Sequence, residues 1–242
     1  MRKKRIKIIY HALSEKGVRE KNEDAYIAGK VGDSHVFAVA DGLGGHASGE
    51  SASRIAISEL KEAIERYGEE GLTIAFERAN NKIFLENRRK GTNMGTTLVA
   101  CIVGEDGKCK IANVGDSRAY IFENHDIWRT KDHSLVQELI DKGVISEEEA
   151  FTHPRKNIVT RVLGLGEKIK VDSYEKNLEK SVLLLCSDGL SDYLKDHEIA
   201  KTAKSHNPKK ACKKLCKMAL KAGSKDNITV VVVRRKRRLV GR

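Results

Sequence analysis

Acidic residues recur at the ends of apolar runs. Asp41 closes HVFAVAD, Asp116 closes KCKIANVGD and Asp188 closes SVLLLCSD; Asp226 stands just before NITVVVV, and Glu23 and Asp24 stand just before AYIAGKV. One such acid is ordinary turn chemistry, because Asp and Asn favour turns. Five apolar runs each carrying an acid at a terminus point to something more. A carboxylate at the end of a buried strand costs free energy unless it is paired, hydrogen-bonded or bound to a cation. If the runs are strands of two packed sheets, their acidic ends can meet at one edge. Carboxylates gathered there repel one another and stay ionised only around hard cations. Oxygen donors without neighbouring His or Cys suit Mg²⁺ or Mn²⁺ rather than zinc. The glycines beside these acids, Gly42, Gly44 and Gly45 after Asp41 and Gly189 after Asp188, let carbonyls and waters come close to an ion. Two such ions roughly 3.5–4 Å apart suit phosphoester hydrolysis. Arg19, three residues before Asn22, can reach the same edge and fork two donors onto phosphate oxygens.

Stepping from these acids to the elements that carry them, nine stretches read as strands: RIKIIYHAL, AYIAGKV, HVFAVAD, TTLVACIVG, KCKIANVGD, SRAYIFEN, KIKVDSYE, SVLLLCSD and NITVVVVRR. They are rich in β-branched residues and often end in Gly, Asp or Asn. GEDG and FENHD read as hairpin turns. Helical periodicity covers about 48–67 and 69–90 after the glycine loop, and about 195–204 and 208–222 near the end. Ser48 is expected to cap the first helix, Asn207-Pro208 to open the last and Gly223 to end it. Hairpin-linked strands argue against a parallel doubly wound sheet. They predict an α+β fold of two antiparallel sheets stacked face to face, with helix pairs outside.

The 242 residues read as one domain, residues 1–242, with no linker or repeat, and their 40% hydrophobic content leaves room for a real core. No apolar run is long enough to span a membrane, and no secretory signal is expected in MRKKRIKIIYHALS. Five scattered cysteines without a CxxC pair exclude a zinc ribbon and favour a reducing cytoplasm. Cys212 and Cys216, one helical turn apart, read as plain buried thiols. The net charge of +12 is assigned largely to basic tails at residues 1–7 and 234–242. With aromatics at 5% of residues and none interleaved with the basic residues, specific nucleic-acid binding is not expected.

The ordered segments GVREKNEDAY, VADGLGGHASGE, MGTTLVA, ANVGDSRAY, TKDHSLVQELIDKGVI, HPRKNIVTRVLG, LLLCSDGLSDYL and KDNITVVVV resemble the metal-dependent protein Ser/Thr phosphatases of type 2C, in their prokaryotic form. The resemblance runs over nearly the whole chain and is weakest in the basic tails and parts of the helices. It implies a four-layer α/β/β/α sandwich and assigns roles. Asp41 bridges two metals, the Gly42 carbonyl binds the second, and Asp188 and Asp226 hold the first. Glu23 and Asp24 act mostly through metal-bound waters, and Arg19 grips substrate phosphate. Asp116 belongs to a third, weaker metal site, which Asp192 could share. Asn227 orients Asp226, and residues of about 134–158 form a flap that shapes substrate choice. Animal members place His directly after the DG of the second motif, where this chain has Leu43. His46 and His153 are the alternatives for a general acid, each with a more ordinary structural role open to it, and a third-site water is another.

The expected activity is Mg²⁺- or Mn²⁺-dependent hydrolysis of phosphoserine and phosphothreonine in proteins, by a hydroxide bridging two metals, with no covalent intermediate. The expected partners are phosphorylated proteins, including a Ser/Thr kinase or its substrates, and the expected state is a cytoplasmic monomer. The alternatives are a catalytically inactive scaffold of the same fold that binds partners through its basic tails, and a metal-dependent nuclease suggested by the charge.

Overall fold

A computed structural model describes residues 5–44, 48–179 and 181–238. The chain opens on three strands, β1 (Arg5–Glu15), β2 (Asp24–Val31) and β3 (Ser34–Leu43). Two long helices follow, α1 (Ser48–Tyr67) and α2 (Gly71–Lys90), separated by a 3₁₀ turn. A run of hairpins comes next: β4 (Gly95–Thr96), β5 (Leu98–Val103), β6 (Lys108–Val114), β7 (Arg118–Glu123) and β8 (Asp126–Arg129). Short helices α3 (Leu135–Asp141) and α4 (Glu147–Thr152) occupy the region expected as a flap. The chain ends through β9 (Asp172–Asn177), β10 (Val182–Cys186), the single turn α5 (Asp188–Ser191), α6 (Asp196–Ser205), α7 (Pro208–Lys221) and β11 (Ile228–Arg238).

The strands form two antiparallel sheets, ordered β1-β11-β10-β7-β8 and β2-β3-β5-β6-β9, with β4 beside β3. Side chains alternate across a strand, and in β3 both faces are covered. Val36, Ala38 and Ala40 pack with Leu60, Phe76 and Ile83 of α1 and α2. Phe37 and Val39 pack with Leu183, Leu185, Val231 and Val233 of the other sheet. Burial on both faces is why the sequence there is a continuous apolar run rather than an alternation. On the far side, Leu184 and Val232 pack on Ile199, Cys212 and Leu215 of α6 and α7. The expected α/β/β/α layering is the observed one.

Local signals account for most boundaries. The second long helix starts at Gly71 rather than 69, because Gly68 takes φ +61° and breaks the run. Gly91, also left-handed, ends that helix. Asn207 accepts a hydrogen bond from the Lys210 amide and Pro208 fills the first turn of α7. Strand β9 starts four residues later and ends two residues later than KIKVDSYE, and β8, α3, α4 and α5 have no counterpart among the expected elements.

The basic ends differ from solvated tails over the described residues. Arg5 faces Arg238 and Lys7 faces Lys236 as the β1–β11 ladder continues outward. Arg234 donates to the carbonyls of Ala203 and Lys204 at the end of α6. Backbone pairing extends the ladder although the like charges of Lys7 and Lys236 oppose it.

Candidate metal centre

The register of the two sheets brings the acids to one edge. Asp24 at the start of β2 lies opposite Asp41 near the end of β3. In the other sheet the end of β10 lies beside the starts of β7 and β11, with Cys186 opposite both Arg118 and Val230. Asp188 follows that end, Asp226 precedes β11, and Asp116 sits in the turn from β6 to β7. Antiparallel order therefore places all five acids on the same side of the sandwich.

Each acid is held by its backbone or by neighbouring hydroxyls. The Asp41 amide donates to Thr97 Oγ1 (3.0 Å), and its carbonyl accepts from the Thr97 amide (2.9 Å) and Thr96 Oγ1 (2.8 Å). Thr97 Oγ1 also bonds Ser117 Oγ (2.7 Å), next to Asp116. Asp24 Oδ2 accepts from Ser187 Oγ (2.8 Å) and Thr229 Oγ1 (2.6 Å), so one carboxylate oxygen ties the two sheets together. Asn227 organises the loop before β2: its Nδ2 donates to the carbonyls of Lys16 and Lys21 (both 2.9 Å), and its Oδ1 accepts from the Glu23 amide (2.8 Å). Its own backbone amide donates to Asp226 Oδ1 (2.8 Å). Gly42 is buried with no room for a side chain: a Cβ there would stand 2.2 Å from the Gly49 carbonyl oxygen and 2.8 Å from that of Glu23.

The electrostatics show what the cluster lacks. Burial raises the Asp41 carboxyl well above the usual range, and the charges of Asp24, Asp188, Asp116 and Asp226 push it further. Asp188 is raised in the same way, by burial and then by Asp116, Asp192, Asp226 and Asp24. Burial lifts Asp116 to about 7, helped by Asp132 and Asp192, and lifts Asp24 to about 6 against its two hydroxyl donors. Glu23 is also raised, chiefly by burial. Asp24 Oδ1 and Asp188 Oδ1 are buried without a hydrogen-bond partner among the described residues. Orphaned carboxylate oxygens on mutually repelling acids fit divalent cations. No group of three His, Cys, Asp or Glu side chains among the described residues forms a ready cage around one point.

Arg19 stands at the rim. Its Nη2 donates to Asp226 Oδ2 at 2.7 Å, with the arginine side chain 58% exposed. The loop thus delivers a guanidinium to the acid edge, where it now balances Asp226. Leu43, at the position where animal members carry His, pairs with Gly95 and has no proton to give. His153 caps α4 and accepts the Arg155 amide at Nδ1 (3.1 Å), which is local loop chemistry. His46 lies outside the described residues.

Asp192 follows α5, its amide donating to the Asp188 carbonyl (2.8 Å). Its carboxylate is met by Lys156 Nζ at 3.2 Å, and the same ammonium donates to the Asp192 carbonyl at 2.8 Å. The lysine lies between the rings of Phe151 and Tyr193, 5.4 and 5.3 Å from their centroids. Lys156 comes from the flap region, so one side chain ties that region to the acid edge. Beyond it is a cleft of about 760 Å³ whose lining includes Asp116, Asp192, Arg118, Val136, Ile140 and Phe151.

Several supporting residues carried no assigned role in the sequence reading: Ser187, Thr229, Thr97, Ser117, Lys156, and Asp132 with Arg118. All but Thr97, Asp132 and Lys156 lie within three residues of an acid, and Thr97 lies between β4 and β5, beside the end of β3. Asp132 and Lys156 lie in TKDHSLVQELIDKGVI and HPRKNIVTRVLG, segments whose pattern was visible but whose partners are distant in sequence.

Comparison with known proteins gives a consistent picture. The family model for protein phosphatase 2C matches residues 15–226. The serine/threonine phosphatase stp of Listeria monocytogenes is 39% identical over 233 residues, covering 90% of this chain and 92% of that protein. Among solved structures, serine/threonine phosphatase Stp1 from Staphylococcus aureus superposes with a TM-score of 0.86 at 35% identity, covering 97% of this chain and 96% of that one. The catalytic domain of the serine/threonine phosphatase PstP in complex with two manganese ions superposes with a TM-score of 0.83 at 33% identity, covering 95% and 99%.

Proposed function

The chain belongs to the protein phosphatase 2C family, in its bacterial form, and from that premise we propose how its residues divide the work. It is a protein serine/threonine phosphatase that depends on Mn²⁺ or Mg²⁺, two ions at a time, and its substrates are phosphoproteins. We assign Asp41 as the carboxylate shared by the two ions, Asp188 and Asp226 as ligands of the first, and the Gly42 carbonyl as a ligand of the second. Glu23 and Asp24 act at one remove, through water. Asp116 and Asp192 are assigned to a third ion. When bound, such cations activate water and neutralise charge on the phosphoryl group.

The observation that carries this reading is the set of buried, mutually repelling carboxylates with orphaned oxygens. The protein's own residues do the rest. Ser187 and Thr229 fix Asp24, and Thr97 fixes the backbone on both sides of Asp41. The Asn227 brace holds the loop that presents Arg19, and only one nitrogen of that guanidinium is engaged among the described residues. Its other donors bind and orient phosphate oxygens. Five cysteines with no disulfide support a reducing, cytoplasmic setting. A Ser/Thr kinase, or its substrates, is the natural source of the phosphorylated partners, and the chain acts as a monomer.

The test is hydrolysis of a phosphothreonine peptide with Mn²⁺, with excess chelator, and by Asp41→Asn. Turnover that needs both metal and Asp41 is the expected result. A folded, Mn²⁺-binding protein without turnover would instead make it a scaffold.

A further inference from the structure

Besides the basic residues of its termini, the chain gathers six lysines on one helix. Helix α7 reads PKKACKKLCKMALK, with six lysines and no acid. Its buried stripe is Ala211, Cys212, Leu215, Cys216 and Ala219. At 100° per residue, Lys209, Lys210, Lys213, Lys214, Lys217 and Lys221 all fall on the opposite arc, and all six are exposed. None forms an ion pair or hydrogen bond through its ammonium among the described residues. Lys61, Lys82, Lys90, Lys110 and Lys131, on other elements, each meet a carboxylate. The lysines of α7 reach the neighbouring edge strand, where Lys209 and Lys213 join burial in holding His11 below the ordinary histidine range.

The face ends in apolar side chains. Leu220, on the same arc, is 41% exposed, and Val18 is 72% exposed. Gly17, next to Val18 in the chain, lies against Leu220: a Cβ on it would stand 3.9 Å from Leu220 Cδ2. The loop holding Gly17 and Val18 also presents Arg19 to Asp226. A cationic face about 21 Å long thus runs into an exposed apolar pair at the rim of the metal centre.

We infer that α7 and the Val18–Leu220 pair form a docking face for an anionic lipid surface, with the lysines on headgroup phosphates and the two apolar side chains at the headgroup boundary. Unpaired lysines near an anionic leaflet add attraction residue by residue, and apolar side chains at the end of such a face add an insertion step. Nucleic acid shares the phosphate chemistry but fits less well. The helix has no Arg for bidentate contacts, no Asn or Gln for base edges and no aromatic for stacking. Docking this way sets the rim that carries Arg19 close to the membrane plane, so the phosphoproteins reached first are those held at that membrane. The inference is independent of which residues ligate metal.

The experiment is co-sedimentation of the full chain with vesicles of phosphatidylcholine alone and of phosphatidylcholine mixed equally with phosphatidylglycerol, at ~0.1 M salt. Binding to the anionic vesicles only is expected. Replacing Lys209, Lys213, Lys214 and Lys217 by Gln, a good helix former, should weaken it about tenfold or more while leaving phosphopeptide turnover in solution unchanged. Val18→Ser with Leu220→Ser should weaken it severalfold without removing the salt dependence. Equal binding to both vesicle types, full binding by the folded Gln variant, or displacement by duplex DNA at lower concentration than by anionic vesicles would each overturn the assignment.

Discussion

Asp116 and Asp132 are buried alike, at 9% and 8% exposure, yet they sit in opposite electrostatic settings. Asp132 accepts a forked pair from Arg118, with Nη2 at 2.6 Å and Nε at 2.9 and 3.0 Å, and Arg129 stands 3.6 Å away. The network closes through the Tyr120 hydroxyl onto Asp196. Asp116 faces Asp132, Asp192 and Asp188 and is held near 7. The flap-side network is neutralised by residues of the chain; the acid edge is left to be neutralised by ions from outside. A buried acid that the protein has already paired serves the fold, whereas one it has left unpaired marks where chemistry is done.

The strongest way to break this contrast is Asp188→Asn. It should lower phosphopeptide turnover about a thousandfold or more, because it removes a proposed ligand. In excess chelator the same change should raise the unfolding temperature, because it relieves repulsion. A variant that is destabilised when metal-free would mean that the acid edge is internally balanced after all.

On the other side, Arg118→Met should destabilise by about 3–5 kcal/mol in urea unfolding, since it leaves the buried Asp132 without its forked partner. A loss under 1 kcal/mol, in the range of exposed surface pairs, would show that Arg129 suffices and would blur the contrast.

The pH dependence separates the two regions next. Asp24 and Asp116 bind their protons more tightly in the folded protein, at about 6 and about 7, than in the unfolded chain. Between the unfolded carboxylate range near 4 and those values, the native state holds more protons. Without metal, stability should therefore be fullest at about pH 4 as far as these groups are concerned, and should fall as pH rises toward 7, by on the order of a few kcal/mol. Saturating Mn²⁺ should flatten or reverse the slope. Chemical unfolding at several pH values, with chelator and with Mn²⁺, measures it; a metal-free slope of the opposite sign would count against the unpaired acid edge.

The smallest effect is expected where the regions touch. Lys156→Met removes a part-buried ion pair and two ring contacts and should cost about 1 kcal/mol. Faster amide exchange confined to residues of about 134–158 is the signature. Unchanged exchange there would mean that Lys156 does not link the flap region to the acid edge.

The acid at each strand end, the glycines beside it and the continuous apolar runs were readable from sequence because they are local: turn chemistry, burial on both faces and helix periodicity act within a few residues. They determined the layered α/β/β/α class and picked out the acids that the fold gathers at one edge. Which partner each residue meets was not readable, because partners are joined by register and sheet order across the whole chain. Asp24 bonds Ser187 and Thr229 more than 160 residues away. Arg118 takes Asp132 while Asp116 is left to its like-charged neighbours. The terminal residues read as tails, but over the described residues the β1–β11 ladder pairs their backbone, and six lysines without a carboxylate partner among the described residues lie on α7. Charge type is written in the sequence. Whether a charge is paired depends on what the fold sets beside it, and only tertiary structure decided that.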